Sequence, residues 1–112
     1  MLPSKSRINK TTFKTLGRGA PYHSAHLSLF VYKKSDQTPS QFAFLCSKKV
    51  AKTAVKRNLL RRRGYNVIAK QLVDINPGFY FVFNFKKGAE TASFKETEEQ
   101  ILFLLKKSEK LG

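Results

Sequence analysis

Apolar and polar positions alternate most cleanly over His26 to Tyr32, with Leu27, Leu29 and Val31 on one side and Ser28, Phe30 and Tyr32 on the other. A period of two predicts a strand with unlike faces. The pattern resumes over Gln41 to Ser47 after the turn-forming stretch KKSDQTPS, so an antiparallel hairpin is the economical pairing of the two strands. Phe79 to Phe85 alternates again, behind a turn forced by Asn76-Pro77-Gly78 and ahead of Lys86-Lys87-Gly88. Phe79, Phe81, Phe83 and Phe85 share one side of that strand and are assigned to the core.

A period near 3.6 governs the rest. Asn9 is placed to cap a short helix through about Leu16, with Ile8, Phe13 and Leu16 as its apolar contacts and Gly17 and Gly19 ending it. Residues 20 to 25, APYHSA, read as a loop. Thr53 opens a long segment without Pro that continues as helix to about Val73. Its apolar positions do not form one stripe: Val55, Leu59 and Leu60 point differently from Tyr65, Ile68 and Leu72, and Gly64 is expected to mark a bend. Ser93 and Glu96 have the spacing of a capping box, and Phe94, Ile101, Leu104 and Leu105 fall on one face of the helix they open. Glu98 and Glu99 early in that helix, and Lys106, Lys107 and Lys110 late, agree with its dipole. Residues 1–8 are polar and basic and are expected to form a flexible arm. The order helix, two or three strands, helix, strand, helix predicts an α+β sandwich with a single layer of sheet, one domain over residues 1–112.

Composition supports a folded body. With 112 residues the chain can bury one core but not two, and 41% hydrophobic content with ten Phe separates it from disordered polycations. Cys46 is the one cysteine, which excludes an internal disulfide, and its place in an apolar run predicts a buried, inert thiol. No stretch has the length of a signal peptide core or a membrane span, so the expected compartment is the cytoplasm. His23 and His26 lie in or beside a loop with no acid near them in sequence, and the seven acids are scattered. These residues predict no protein-borne metal site, and a nuclease built from them alone would lack a general base.

Charge changes the picture most. The net charge is +15 and the pI about 10.3, and residues 1–73 carry sixteen Lys/Arg against the lone acid Asp36. Lys48, Lys49, Lys52, Lys56, Arg57, Arg61, Arg62 and Arg63 put eight bases into sixteen residues without an acid. A solvated helix face normally mixes both signs, so this run points to a polyanion, nucleic acid in preference to an anionic membrane. On a helix Arg57, Asn58, Arg61 and Arg62 fall within an arc of about 140°. Arginine forks grip phosphate oxygens in pairs, Asn58 can donate and accept beside them, and the lysines add point charge with looser geometry. Away from this run, Phe13, Phe30 and Tyr32 could line a groove for unstacked bases, at about 1–3 kcal/mol per base. For Phe30, core burial is an equally good account.

The string SKKVAKTAVKRNLLRRR, between an apolar strand and a helix, resembles the pattern of the bacterial ribonuclease P protein component: S-K-K, then A-V, then R-N-x-x-[KR]-R. The match falls on Ser47, Lys48, Lys49, Ala54, Val55, Arg57, Asn58, Arg61 and Arg62, and the Arg7-Ile8 start, Phe13, the Gly19 stop, the strand around Phe30 and the late strand and helix follow the family's order. The resemblance implies an α-β-β-β-α-β-α fold like the second domain of ribosomal protein S5, with a left-handed crossover. It implies a protein that joins a catalytic RNA to remove the 5′ leader from precursor tRNA, with Mg²⁺ held mainly by the RNA. The implied partners are ribonuclease P RNA and precursor tRNA, with no membrane and no obligate protein partner. The R-N helix would contact the RNA subunit, and the groove between sheet and first helix, with Phe13 and Phe30, would take the single-stranded leader. Three departures stand out: Leu59 where the family often has Arg, offset by Arg63 around the turn, Gly17 where many members carry a second aromatic, and Gly64 in a helix usually apolar there. The alternative reading is a structural RNA-binding protein of ribosomal type with no part in cleavage.

Overall fold

Two helices lie across one face of a four-stranded sheet in the computed structural model, which describes residues 2–110. The elements in chain order are α1 (Lys10–Thr15), β1 (Ala20–His23), β2 (Leu27–Lys33), β3 (Gln41–Leu45), α2 (Ala54–Gln71), β4 (Phe79–Phe85) and α3 (Phe94–Lys107). Each helix starts where a side chain takes up a free amide. Asn9 accepts from the Thr12 amide at 2.8 Å, Thr53 from that of Lys56 at 3.2 Å, and Ser93 and Glu96 close the reciprocal capping box at 3.1 and 3.0 Å.

The sheet runs β1-β2-β4-β3, with β3 parallel to β4 and the other pairs antiparallel. The expected hairpin between the strands around Phe30 and Phe42 is therefore not formed; β4 lies between them. The reason lies in β4, whose Phe81, Val82, Phe83 and Phe85 are buried on both faces of the sheet, so it takes a central place. The 34–40 segment does not turn tightly on itself either: the Lys34 amide donates to Gly78 O at 2.8 Å and the Gly78 amide to Thr38 O at 2.9 Å, tying it to the turn before β4. The α2 helix then makes the crossover from β3 to β4 that a parallel pair needs.

Two other expectations change. Residues 20–23, read as loop, form an edge strand in register from Ala20↔Val31 to His23↔Ser28. Pro21 hid it, since proline lacks a ladder donor and is tolerated only at such an edge. The expected arm is packed over residues 2–8; Met1 lies outside the described residues. Leu2 is buried in the core, Ser4–Ser6 make a 3₁₀ turn, and the Ile8 amide donates to Phe42 O at 2.9 Å, which covers the free edge of β3.

The core fills the space between the sheet and α2 and α3. Leu27, Leu29, Phe42, Phe44, Phe81, Phe83 and Phe85 meet Leu60, Val67, Ile68, Ile101, Leu104 and Leu105 there, with Phe79 half-buried at the rim. Phe44 stacks on Phe83 at 4.7 Å and Phe42 on Phe81 at 5.2 Å. The α2 helix runs unbroken through Gly64, where a bend was expected. Gly64 is instead a contact point: the Phe44 ring lies against its bare Cα. Phe94 departs from the buried face of α3 and stays 38% exposed, with the Lys70 ammonium 5.7 Å above its ring.

Candidate nucleic-acid interface

The helical period brings Asn58 to the same side of α2 as Arg61 and Arg62, which lie one turn on, and all three line a shallow cavity of about 220 Å³. Arg7, Tyr65 and Asn66 complete its wall. Arg61 donates to Asn58 Oδ1, which leaves the amide end of Asn58 free to donate outward. Arg7 reaches this site because residues 7 and 8 run along β3, and its guanidinium rests 4.5 Å from the centre of the Tyr65 ring. The Nε atom of Arg7 is buried without a protein partner. Tyr65 is itself fixed, its hydroxyl accepting from the Phe44 amide at 3.2 Å and its ring edge-on to Phe44 at 5.0 Å.

One member of the expected ridge, Arg57, stands apart, and so does Arg63, expected to add to it from around the turn. Arg57 turns back on its own chain, Nη1 donating to Ala51 O and Lys52 O at 2.9 Å each. It fastens the 47–53 loop to the helix. Arg63 falls about 140° around the axis from Asn58 and does not line the cavity. Lys49, Lys52 and Lys56 line a different cleft at the N-terminal end of α2, and Lys48 is exposed on the loop beside it. Among the described residues the one ion pair is Lys70 with Glu98 at 3.9 Å, so the bases around both cavities keep their charge unpaired.

Phe30 and Tyr32 share a face of the sheet and Phe13 lies by its β3 edge, so the three aromatic candidates do not meet in one pocket. Phe13, 38% exposed, lines a cavity of about 230 Å³ with Ile8, Ala43, Leu45 and Tyr65, and Lys10 and Lys14 stand at its edge. Phe30, Val82 and Ala43 occupy one row across β2, β4 and β3 on the face away from α2 and α3, which puts Phe30 about 10 Å from Ala43. Phe30 is half-buried there, with the His23 ring edge-on at 6.4 Å. Tyr32 lies a row further along, opposite Tyr80, and its ring is spread over Gly19. The Phe13 cavity and the arginine cavity have Tyr65 in common, so the two surfaces adjoin.

Other polar groups are tied to structure. His26 Nδ1 lies 3.1 Å from Gln100 Nε2, the Gln100 carbonyl accepts from the His26 amide at 2.8 Å, and His23 Nδ1 lies 2.9 Å from Ser28 Oγ. No three of His, Cys, Asp and Glu gather as metal ligands among the described residues. Cys46 sits just past β3 and is half-buried, less than expected; burial pushes its thiol up against the opposing pull of Arg61 and Arg57. Sequence reasoning missed Arg7, Tyr65 and Asn66 as members of the arginine cavity. Asn66, at i+4 from Arg62, was legible in the helical period; Arg7 was not, because its approach depends on long-range pairing with β3.

The chain matches the model of the Ribonuclease P family over residues 2–109. It is 34% identical to the ribonuclease P protein component of Microcystis aeruginosa, over 82% of this chain and 79% of that one. With the Helicobacter acinonychis protein of the same description the identity is 35%, over 92% and 77%. In fold it is similar to the RNase P protein of Staphylococcus aureus, with a TM-score of 0.82 at 15% identity over 96% of this chain and 98% of that one. The Thermotoga maritima RNase P protein gives a TM-score of 0.75 at 21% identity, over 90% and 96%.

Proposed function

We propose the following division of labour from one premise: the chain belongs to the ribonuclease P protein family. It is thereby a subunit of the ribonuclease P ribonucleoprotein and takes part in tRNA 5′ processing. In our reading the RNA subunit carries out hydrolysis with its own Mg²⁺, and the protein supplies binding. Asn58, Arg61, Arg62 and Arg7 take phosphates of the RNA subunit; the surface around Phe13, with Phe30 and Tyr32 further along the sheet, takes the single-stranded leader of precursor tRNA. The observation that carries this reading is the contact between the two surfaces at Tyr65, which lets one protein hold the RNA subunit and the leader side by side.

Counterion release and base stacking supply the energies. Each neutralised phosphate frees counterions, and each base laid on an aromatic ring contributes about 1–3 kcal/mol. Raising the affinity for a leader-bearing substrate in this way lowers the Mg²⁺ the RNA needs to hold it. No helix among the described residues is long and apolar enough to cross a membrane, and we place the protein with its tRNA substrate in the cytoplasm. The test is cleavage of precursor tRNA by ribonuclease P RNA at low Mg²⁺, with and without the protein. Stimulated release of the 5′ leader is expected; a protein that binds the RNA yet leaves cleavage unchanged would be a structural RNA-binding protein instead.

A further inference from the structure

A second basic surface faces away from the arginine cavity. Lys49 and Lys52 from the loop before α2, Lys56 from its first turn and Lys87 from the loop after β4 line a cleft of about 520 Å³ with Thr53 and Glu90. Lys56 lies two residues before Asn58, about 160° around the helix axis, so the cleft and the arginine cavity open on opposite sides of α2. Four ammonium groups here meet one carboxylate, and Glu90 directs an oxygen to the Gly88 amide at 3.0 Å. The lysines have no ion-pair partner among the described residues. Their loop does not depend on a ligand for its place: Val50 and Ala51 are buried, and Arg57 grips the carbonyls of Ala51 and Lys52 at 2.9 Å.

We propose that this lysine cleft is a second RNA-backbone site, which takes a strand of the RNA subunit other than the one at Asn58, Arg61 and Arg62, with Arg57 as its positioning residue. The inference rests on the ribonuclease P reading. Lysines on three separate elements, each a flexible point charge, suit a run of phosphates along a strand better than one small anion, for which a fork of arginines would be expected. Because the two sites look in opposite directions, one straight stretch of backbone cannot reach both; a folded RNA presents two strands. The protein then acts as a wedge between RNA segments, and α2 is its blade. Lys87 belongs to this surface although it lies outside the basic run, brought there by the end of β4.

The experiment compares wild type, Arg61→Ala, Lys52→Ala/Lys87→Ala and the combined triple variant, binding to ribonuclease P RNA across a salt series with hydroxyl-radical footprinting of the RNA. Both lysines are exposed, and thermal melting checks that the variants fold. The lysine pair should flatten the log K against log salt slope by about 1.8, at about 0.9 per phosphate contact. Losses in log K should add in the triple variant, as for independent sites. Footprints re-exposed by Arg61→Ala and by the lysine pair should not overlap. An unchanged slope for the lysine pair, or loss of the same footprint in both variants, overturns the second site while leaving the arginine site standing. If Arg61→Ala is silent as well, the assignment of the arginine cavity to the RNA subunit falls with it. Inorganic tripolyphosphate is the remaining arm: micromolar binding abolished by Lys87→Ala would make the cleft a small-anion pocket and sink the RNA assignment.

Discussion

Arg57 and Arg61 are one turn apart on α2, yet their guanidinium groups serve different partners. Arg61 stands in the open cavity beside Asn58, whereas Nη1 of Arg57 is committed to two backbone carbonyls. Arg61→Ala should therefore flatten the salt dependence of RNA binding by about 0.9, the release from one phosphate. Arg57→Ala should change that slope by less than half as much and instead lower the melting temperature, since charge-assisted bonds to carbonyls contribute about 1.5–3 kcal/mol. Equal slopes for the two variants would show that Arg57 also meets phosphate. The helical period alone made Asn58, Arg61 and Arg62 legible as one arc, but it assigned Arg57 to the same arc, because the carbonyls that claim it belong to a loop set by burial of Val50 and Ala51. Gly64 gives a similar lesson: a glycine in a helix reads as a bend, while its use here is to admit the Phe44 ring. Gly64→Ala gains about 1 kcal/mol of helix propensity and loses about 1–3 kcal/mol to overpacking. A lower melting temperature is expected, and a higher one would mean that the stack of Phe44 on Phe83 yields easily.

Among the elements, the helices were legible nearly to their caps and the sheet only in part. Asn9, Thr53 and Ser93 each do locally what their sequence spacing says. Strand order cannot be read the same way, since β3 and β2 both present an apolar face and only the burial of both faces of β4 decides which pair it separates. The α3 cap carries a prediction about acid. Bonding to Ser93 holds the Glu96 carboxyl below its ordinary value, so its charge stabilises the fold above the pKa of the unfolded chain, and that contribution is lost as pH falls through the folded value. Glu96→Gln keeps an acceptor for the Ser93 amide but not the charge. Wild type should melt higher than this variant at neutral pH, and the gap should close as the carboxyl protonates; a gap that persists in acid would assign the effect to shape alone. The α1 helix carries one too. Phe13 is held at the surface by a two-turn helix whose neighbours are Ala43 and Leu45 of the outer sheet face, so Phe13→Ala should remove contact with an unstacked base and little else. A loss of about 1–3 kcal/mol is expected for precursor tRNA bearing a leader, and none for mature tRNA, when the two are titrated against the assembled ribonucleoprotein. Equal losses for both substrates would take the leader away from α1.

At the scale of the whole molecule, a charge of +15 has almost nothing of its own to rest against: among the described residues one ion pair joins Lys70 to Glu98, and the two basic surfaces lie on opposite sides of a single helix. Self-repulsion on that scale lowers the stability of the isolated fold, and two preformed cradles offer anions a way to restore it. Site binding and general screening make different demands. Screening depends on ionic strength alone, and the exclusion of sulfate from protein surfaces raises wild type and variants alike, so only site binding makes the difference between the two salts depend on the basic side chains. Binding to the folded state stabilises it in proportion to the logarithm of ligand concentration, by about 2.7 kcal/mol at one hundred times the dissociation constant. Melting followed by circular dichroism should then show sulfate raising the transition above its position in matched chloride. The sulfate-specific part should shrink in Arg61→Ala and again in Lys52→Ala/Lys87→Ala, because each variant removes positive charge from one side of α2. An equal difference between the two salts in wild type and variants would mean that neither surface is shaped for phosphate-like anions, and that the charge acts only as a diffuse field.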